Sequence, residues 1–432
     1  METINFQFCL LAFVLQMLVV DSIISFYGCK PSQIHISPGT PAHSTMWVSW
    51  MSDIKCSSVV ERLGGSSSLQ VTTAGVGERY ATTTNRYGTY VSAFQHHARL
   101  DGLEPSTSYQ YRCGGGEDSG SDEAVFGSWR EFKTLPKPGG TQQPVRIAIV
   151  GDLGQTADSL ATVRSANLSA QSDYSSLGHG VEPSFLMIVG DLSYADGNGT
   201  RWDTWGHLME PWLSTALPLV AMPGNHEIEM DSETAETFPH WRARFRMPEV
   251  APEQSAPGQV NDYPTYDFDF HYEFGSSYFS FDSGPVHHVC LNAYADSSKG
   301  STQYEWLKRD LKQHDKQRSA VPWVVVYAHG PWYNSNKLHR QEVATQAMRL
   351  SLEDLLHEHK VALFLAGHVH AYERTHPAFK GKRVRSATRS TTANGGGGGE
   401  EWGTVYVTIG DGGNREGLYD VWTDDDDAGA GG

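Results

Sequence analysis

The chain has 432 residues, of which 39% are hydrophobic and 19% charged, and its formal net charge is −17. That length accommodates two domains with substantial cores, and the composition is that of an ordinary globular protein. The negative charge argues against nucleic acid or an anionic membrane as a partner. It also disfavours long-range attraction of an anionic substrate, so phosphate chemistry would need a strong local positive charge.

An apolar run over residues 6–20 is too short to span a bilayer comfortably. Its position predicts a secretory signal over residues 1–27, although Glu2 is atypical there and an N-terminal core segment is the alternative. Two glycosylation sequons, at Asn167 and Asn198, fit export. We therefore expect a secreted or vacuolar glycoprotein without a membrane anchor, which could form a homodimer.

The cysteines indicate how such a protein could be cross-linked. Loss of Cys9 with the signal leaves Cys29, Cys56, Cys113 and Cys290, which allow three disulfide connectivities. Cys56 and Cys113 bracket one domain and are the preferred pair. No CxxC spacing occurs, so thiolate metal ligation is not expected.

The first third of the chain reads as β-structure. Residues 31–134 lack helical periodicity, and short β-rich runs such as 45–50 and 108–112 alternate with Gly, Ser and Pro clusters. Residues 100–111 resemble the late-strand signature of a fibronectin type III domain. We predict a fibronectin III-like β-sandwich over residues 29–137, followed by a stiff, polar linker that extends to residue 144.

The next part of the chain has a different pattern. Apolar runs alternate with amphipathic segments, for example 304–313 and 342–357, which predicts an α/β domain over residues 145–420. A glycine-rich stretch at 386–400 reads as a mobile surface loop. Residues 421–432 read as a disordered acidic tail.

Polar clusters follow five of the apolar runs and begin at Gly151, Gly190, Gly224, Ala328 and Gly367. The runs before them are predicted to be buried strands, and open α/β sheets build their sites at the carboxyl ends of such strands. Buried carboxylate, amide and imidazole groups need something that satisfies them. The clusters together contain two Asp, a Tyr, an Asn and three His. This ligand set is too large for one metal ion and suits two.

In this order the clusters resemble those of the purple acid phosphatase branch of the metallophosphoesterases. The likeness extends over residues 31–420 and includes the segments 245–248, 329–334, 370–374 and 407–414. It implies the large, plant-type form, in which the fibronectin-like sandwich precedes a four-layer αββα metallophosphoesterase domain.

The resemblance also implies the metal ligands. A ferric ion and a divalent ion (zinc, manganese or iron) would share Asp191 as a bridge. The ligands of the ferric ion would include Asp152, Tyr194 and His370, and those of the divalent ion Asn225, His329 and His368. A phenolate is a hard donor that suits ferric iron, whereas imidazole and amide suit a divalent ion. With a bridging hydroxide the site would keep a charge of roughly +1, enough to attract a phosphomonoester despite the acidic surface.

The resemblance implies an acid phosphatase in which a metal-bound hydroxide attacks phosphate monoesters directly. His226 is the first choice for protonating the leaving group, with orientation of Asn225 as its alternative role. His339 is the second candidate. The family tends to have adjacent histidines where this chain has Leu338 and His339, so substrate preference is open, and Lys337 or Arg340 could contact phosphate or simply be solvated.

Two other functions stay open at this point. A phosphodiesterase or nucleotide pyrophosphatase could use the same metal core. A non-catalytic surface protein could use the sandwich to bind a partner, because a fold by itself does not prove activity.

Overall fold

The computed structural model describes residues 28–116, 124–139, 145–171, 183–211, 216–248, 275–340, 342–384 and 402–423. The predicted signal, linker residues 140–144, the glycine-rich loop at 386–400 and the tail from 424 onward lie outside the described residues, and so does the side chain of Asn167.

The N-terminal domain is a β-sandwich. Its strands are β1 Ser32–Pro38, β2 Met46–Ser52, β3 Ser57–Gly64, β4 Ser67–Val76, β5 Ala81–Thr84, β6 Gly88–Val91, β7 Phe94–Leu100, β8 Ser108–Gly115, β9 Val125–Phe126 and β10 Arg130–Lys133. One sheet has the order β1-β2-β7, and the other has the order β10-β8-β3-β4 with β9 added to β8. Alternate side chains from both sheets, including Trp50, Val60 and Tyr111, form the core between them. The predicted sandwich is confirmed.

The predicted disulfide is wrong, because Cys56 is bonded to Cys29, with the two Cα atoms 5.8 Å apart. Cys113 lies in register with Val60, four positions beyond Cys56 on the paired strand. At about 3.3 Å per residue, that register places the two cysteines farther apart than the roughly 7 Å a disulfide can bridge. Cys113 is a buried free thiol of the sandwich core, and Cys290 is a second buried free thiol.

The C-terminal domain combines two large sheets and a short two-stranded hairpin with helices. Its strands are β11 Ile147–Val150, β12 Phe185–Val189, β13 Leu219–Met222, β14 Phe279–Ser283, β15 Val286–Cys290, β16 Trp323–Tyr327, β17 Leu363–Ala366, β18 Tyr372–Arg374, β19 Ala378–Phe379, β20 Lys382–Arg383 and β21 Val405–Ile409. Its helices are α1 Ala157–Gln171, α2 Gly199–Met209, α3 Pro239–Arg244, α4 Thr302–His314 and α5 Val343–Glu358, and short 3-10 turns lie at Asn225–Glu227 and Asp315–Gln317. The helices predicted at 304–313 and 342–357 correspond to α4 and α5.

The two sheets share one hydrophobic core with the helices. Strands β11, β12 and β13 are parallel neighbours, and the second sheet has the order β14-β15-β16-β17-β21-β18, with antiparallel strands at its two edges. Phe185 of the first sheet, Val326 of the second, Leu307 of α4 and Leu356 of α5 belong to the same buried cluster. The predicted α/β domain is therefore confirmed. No helix within the described part of the chain could cross a membrane.

Candidate metal centre

Every predicted ligand lies just beyond the carboxyl end of a parallel strand. Asp152 follows β11, Asp191 and Tyr194 follow β12, Asn225 follows β13, His329 follows β16, and His368 and His370 follow β17. Six of these residues are buried, and the most exposed of the six, His368, has 6% of its surface accessible. Parallel strands bring their carboxyl ends to one edge, and here both sheets contribute to the same place.

The structure brings all seven side chains together. His329 Nε2 lies 3.1 Å from Asp191 Oδ2 and 3.1 Å from Asn225 Oδ1. On the other side of the cluster, the Tyr194 hydroxyl lies 2.9 Å from His370 Nε2 and 3.3 Å from Asp152 Oδ1. His368 contacts both groups of side chains. Its ring centroid lies 5.0 Å from that of His329, and its backbone N–H donates to Asp152 Oδ2 over 2.7 Å.

The orientation of the imidazoles fits a bound cation. His329 Nδ1 is 2.8 Å from the carbonyl of Val189, and His370 Nδ1 is 3.1 Å from that of Gly417. When Nδ1 carries the proton for such a bond, Nε2 offers a lone pair to the site, as it does in metal-ligating histidines. The lone pair of His329 then faces the oxygens of Asp191 and Asn225, and three acceptors at this distance need a proton or a metal ion between them.

The backbone at the site is held in unusual conformations. Four of the seven residues have positive φ angles: Asp152 at 55°, Asp191 at 55°, Tyr194 at 51° and His368 at 68°. Such conformations cost of order 1–3 kcal/mol each and cluster at functional sites. Neighbouring glycines permit the close packing: a Cβ on Gly224 would lie 2.0 Å from Asp191 Oδ1.

The electrostatics show strong coupling between carboxylates and imidazoles. Burial alone would lower the pKa of His329, but Asp191 and Asp152 outweigh it and raise that pKa to about 9. Burial would raise the pKa of Asp191, yet the imidazoles of His329 and His226 hold it well below its usual range. Burial, reinforced by Asp152 and Asp191, raises the pKa of the Tyr194 phenol far above its ordinary value. A strong cation is therefore needed to ionise Tyr194.

Both predicted catalytic histidines border this cluster. His226 lies over the Tyr194 ring at a centroid distance of 4.1 Å, and its Nδ1 is 2.5 Å from Asp196 Oδ1. Its Nε2 is 3.9 Å from Asp191 Oδ2. His339 lies at the opposite end, where its ring packs on His368 at 4.2 Å. Burial and, to a smaller extent, the positive charge of His368 lower the pKa of His339 to about 4.

Several supporting residues had no role in the sequence-based assignment. Glu227 is fully buried and accepts backbone N–H bonds from Gly224, Asp191 and Leu192 at 2.8 to 2.9 Å, so it fixes two ligand loops to each other. Glu342 Oε2 is 2.8 Å from His368 Nε2. Nothing in a single sequence marks Glu342 as a partner of His368, because the two residues are 26 positions apart. Glu227 could have been found from the sequence, because it directly follows Asn225 and His226.

The C-terminal segment also belongs to this site. The Tyr419 ring stacks on His370 at 4.2 Å, and Glu416 Oε1 is 3.6 Å from His226 Nε2. Residues 421–423, which the sequence places in the tail, pair with the loop after β16: Lys337 N–H donates to the carbonyl of Val421 over 2.9 Å. The ordered chain therefore extends to at least residue 423 and borders the metal centre.

Comparison with protein families identifies this architecture. Residues 145–372 match the family model described as calcineurin-like phosphoesterase, and residues 31–134 match that of the purple acid phosphatase N-terminal domain. Purple acid phosphatase 23 of Arabidopsis thaliana is 34% identical over 91% of this chain and 82% of its own length. The chain belongs to the purple acid phosphatase family.

Other relatives of this phosphatase agree. Purple acid phosphatase 22 of Arabidopsis thaliana is 36% identical over 90% of this chain and 73% of its own. A phosphoenolpyruvate phosphatase of Allium cepa is 33% identical over 91% of this chain and 72% of its own length. The solved purple acid phosphatase from seeds of yellow lupin (Lupinus luteus) has the same fold, with a TM-score of 0.71 and 21% identity over 93% of this chain and 67% of that one. The protein is a phosphatase enzyme with a metallophosphoesterase fold.

Proposed function

We propose that this phosphatase hydrolyses phosphate monoesters at a pair of metal ions, one ferric and one divalent. The observation that supports the proposal most is the convergence of carboxylate, phenol, amide and imidazole groups on one buried space. Asp152, Tyr194 and His370 form one group of donors and would hold the ferric ion. Asn225, His329 and His368 would hold zinc, manganese or iron, and Asp191 would face both ions.

The ions would supply a water of lowered pKa as nucleophile and positive charge for the phosphate. The residues of the chain supply orientation and protons. Asp196 holds Nδ1 of His226, which leaves Nε2 free to give a proton to the departing alkoxide. Glu342 lies 2.8 Å from Nε2 of His368 and would orient that ring, whereas His339, which packs on the same ring, would contact the phosphate.

Two observations support phosphate monoesters as the substrate class: the metal-ligating groups named above and the name of one relative. The onion relative is named a phosphoenolpyruvate phosphatase, which supports small phosphomonoesters as substrates of this chain. Export of the protein remains part of the proposal: the disulfide between Cys29 and Cys56 fits an oxidising compartment.

Metal analysis combined with a visible spectrum tests the proposal. We expect two ions per chain, one of them iron, and a visible absorption band that disappears in Tyr194→Phe, because that band requires a phenolate on ferric iron. The enzyme should cleave an aryl phosphate monoester much faster than the matching diester. A colourless, iron-free and active protein would contradict the ferric assignment, and preference for the diester would favour the phosphodiesterase alternative.

A further inference from the structure

The loop between β12 and α2 carries the strained part of the site. It provides Tyr194 as a proposed ligand and Asp196 as the partner of His226. Tyr194, Asp196 and Gly197 have φ angles of 51°, 51° and 83°. Non-glycine residues keep such a conformation only when their surroundings impose it. The groups that contact this loop therefore help to hold Tyr194 and Asp196 in place.

One brace comes from the N-terminal domain. Strands β5 and β6 form a separate hairpin, residues 81–91, which pairs within neither sheet of the sandwich. Thr84 lies against Gly197: its Oγ1 donates to the Gly197 carbonyl over 3.4 Å, and a Cβ on Gly197 would come within 3.0 Å of its Cγ2 methyl. The hairpin thus touches the residue directly after Asp196.

The same hairpin holds the loop that follows Asn225 and His226. Thr83 N–H donates to Asp231 Oδ2 over 2.8 Å, and Ser232 N–H donates to the Thr83 carbonyl over 2.8 Å. Glu229, in this second loop, accepts from Gly197 N–H over 2.9 Å. The hairpin and the two active-site loops are therefore tied to one another in a closed set of contacts.

Tyr90 anchors the far end of the hairpin. Its ring covers Gly199, the first residue of α2, where a Cβ would lie 2.2 Å from the ring. Its hydroxyl lies 3.0 Å from both carboxylate oxygens of Asp203 on α2. Arg244, on α3, donates to the same hydroxyl over 2.7 Å. These contacts attach the hairpin to helices α2 and α3 of the C-terminal domain.

We propose that the hairpin of the N-terminal domain, acting through Thr84, positions Asp196 and with it the general acid His226. Thr84 is a positioning residue, because it touches Gly197 and not the reacting atoms. The inference rests on the proposed function for its kinetic consequence. It gives the N-terminal sandwich a part in catalysis that the metal ligands alone do not indicate.

Substitution of Thr84 tests the inference. Thr84→Ala removes both contacts to Gly197, and we expect kcat for an aryl phosphate to fall about tenfold with KM changed less than twofold, since small displacements of a catalytic group are costly. Thr84→Val keeps the methyl contact and should retain at least half of kcat. Val91→Ala, at a position of the same hairpin that is 56% exposed, is the matched control and should behave as wild type.

A second measurement does not depend on turnover. Amide hydrogen exchange of peptides covering 194–201 should speed up in the Thr84→Ala enzyme as purified, whereas exchange in β12 should stay unchanged. Unaltered exchange together with kcat within twofold of wild type would overturn the inference. If Thr84→Ala does not fold, Thr84→Ser, which loses only the methyl group, should show about a threefold loss. An inactive wild-type enzyme would refute the proposed function instead, and the exchange experiment would still decide the role of Thr84.

Discussion

Three of the proposed ligand side chains, those of His329, His370 and Asp152, have one atom fixed by the protein and another that faces the site. Backbone carbonyls hold Nδ1 of His329 and His370, so Nε2 of each points inward. The backbone N–H of His368 occupies one oxygen of Asp152 and leaves the other near Tyr194. Such hydrogen bonds fix the orientation of the side chains, which lowers the reorganisation that ion binding would require.

The role of His226 can be separated from metal binding. His226→Asn can keep a hydrogen bond to Asp196 but cannot transfer a proton near neutral pH, so we expect kcat to fall by about 10²- to 10³-fold. The metal content per chain should stay as in wild type, which elemental analysis checks. His207→Asn, an exposed position on α2, is the control. Loss of the metals together with activity would assign His226 to ligand support.

Leu338 offers a test of substrate preference. Its side chain is 44% exposed and it directly precedes His339, so a histidine there fits without burying a charge. Leu338→His adds a donor near the phosphate, and we expect KM for a phosphomonoester to fall several-fold, as hydrogen bonds to a charged group are stronger than average. Steady-state kinetics measure the effect, with Leu350→His on α5, where the leucine is 72% exposed, as the control. An unchanged KM would show that residue 338 does not reach the substrate.

Individual elements are held in place by buried ion pairs away from the site. His287 on β15 lies between Asp282 of β14, at 2.6 Å, and Asp310 of α4, at 2.9 Å. Burial would lower the pKa of His287, but the hydrogen bonds to these carboxylates outweigh it and raise that pKa to about 9. The imidazolium therefore joins the edge strand of the large sheet to a helix. His314 stacks on His287 at 4.2 Å.

This arrangement predicts a pH dependence of stability. Because the folded-state pKa of His287 is raised from about 6.5 to about 9, its contribution is fully present below pH 6.5 and is lost as the pH rises through 9. We expect wild type to lose about 2–3 kcal/mol of unfolding free energy relative to His287→Gln between pH 6 and pH 10. Urea titrations at both pH values measure this difference. Parallel loss in both proteins would contradict the assignment.

At the scale of the whole molecule, a buried arginine joins the two domains. Arg244 of α3 is buried and donates to Tyr80 and Tyr90 of the sandwich domain over 2.7 Å and to Asp203 of α2 over 2.8 Å. Gln33 of β1 accepts a further bond at 3.2 Å. One guanidinium thus satisfies polar groups from both domains, and the two should unfold together.

Arg244→Met tests that coupling. Removal of the guanidinium takes the charged partner from Asp203, whose side chain is 31% exposed, and one hydrogen bond each from Tyr80 and Tyr90, so we expect a cost of about 1–3 kcal/mol. Scanning calorimetry should show a transition several degrees lower that separates into two. Arg242→Met on the same helix removes only an exposed pair with Glu236 at 3.5 Å and should have little effect. A single, unshifted transition in Arg244→Met would refute the coupling.

The sequence by itself predicted the strands, the β-sandwich followed by an α/β domain, and the polar groups at the strand ends, because each of these is a local pattern. Apolar runs ending in Gly-Asp or Gly-Asn-His identify both a strand and the groups at its end. Tertiary structure alone decided the disulfide, since strand register separates Cys56 from Cys113 and brings Cys29 close. It also decided which residues support the site: Glu342 contacts His368, and Thr84 contacts Gly197 in the loop that carries Asp196. Those residues act through contacts between elements far apart in the chain, and no local spacing encodes them.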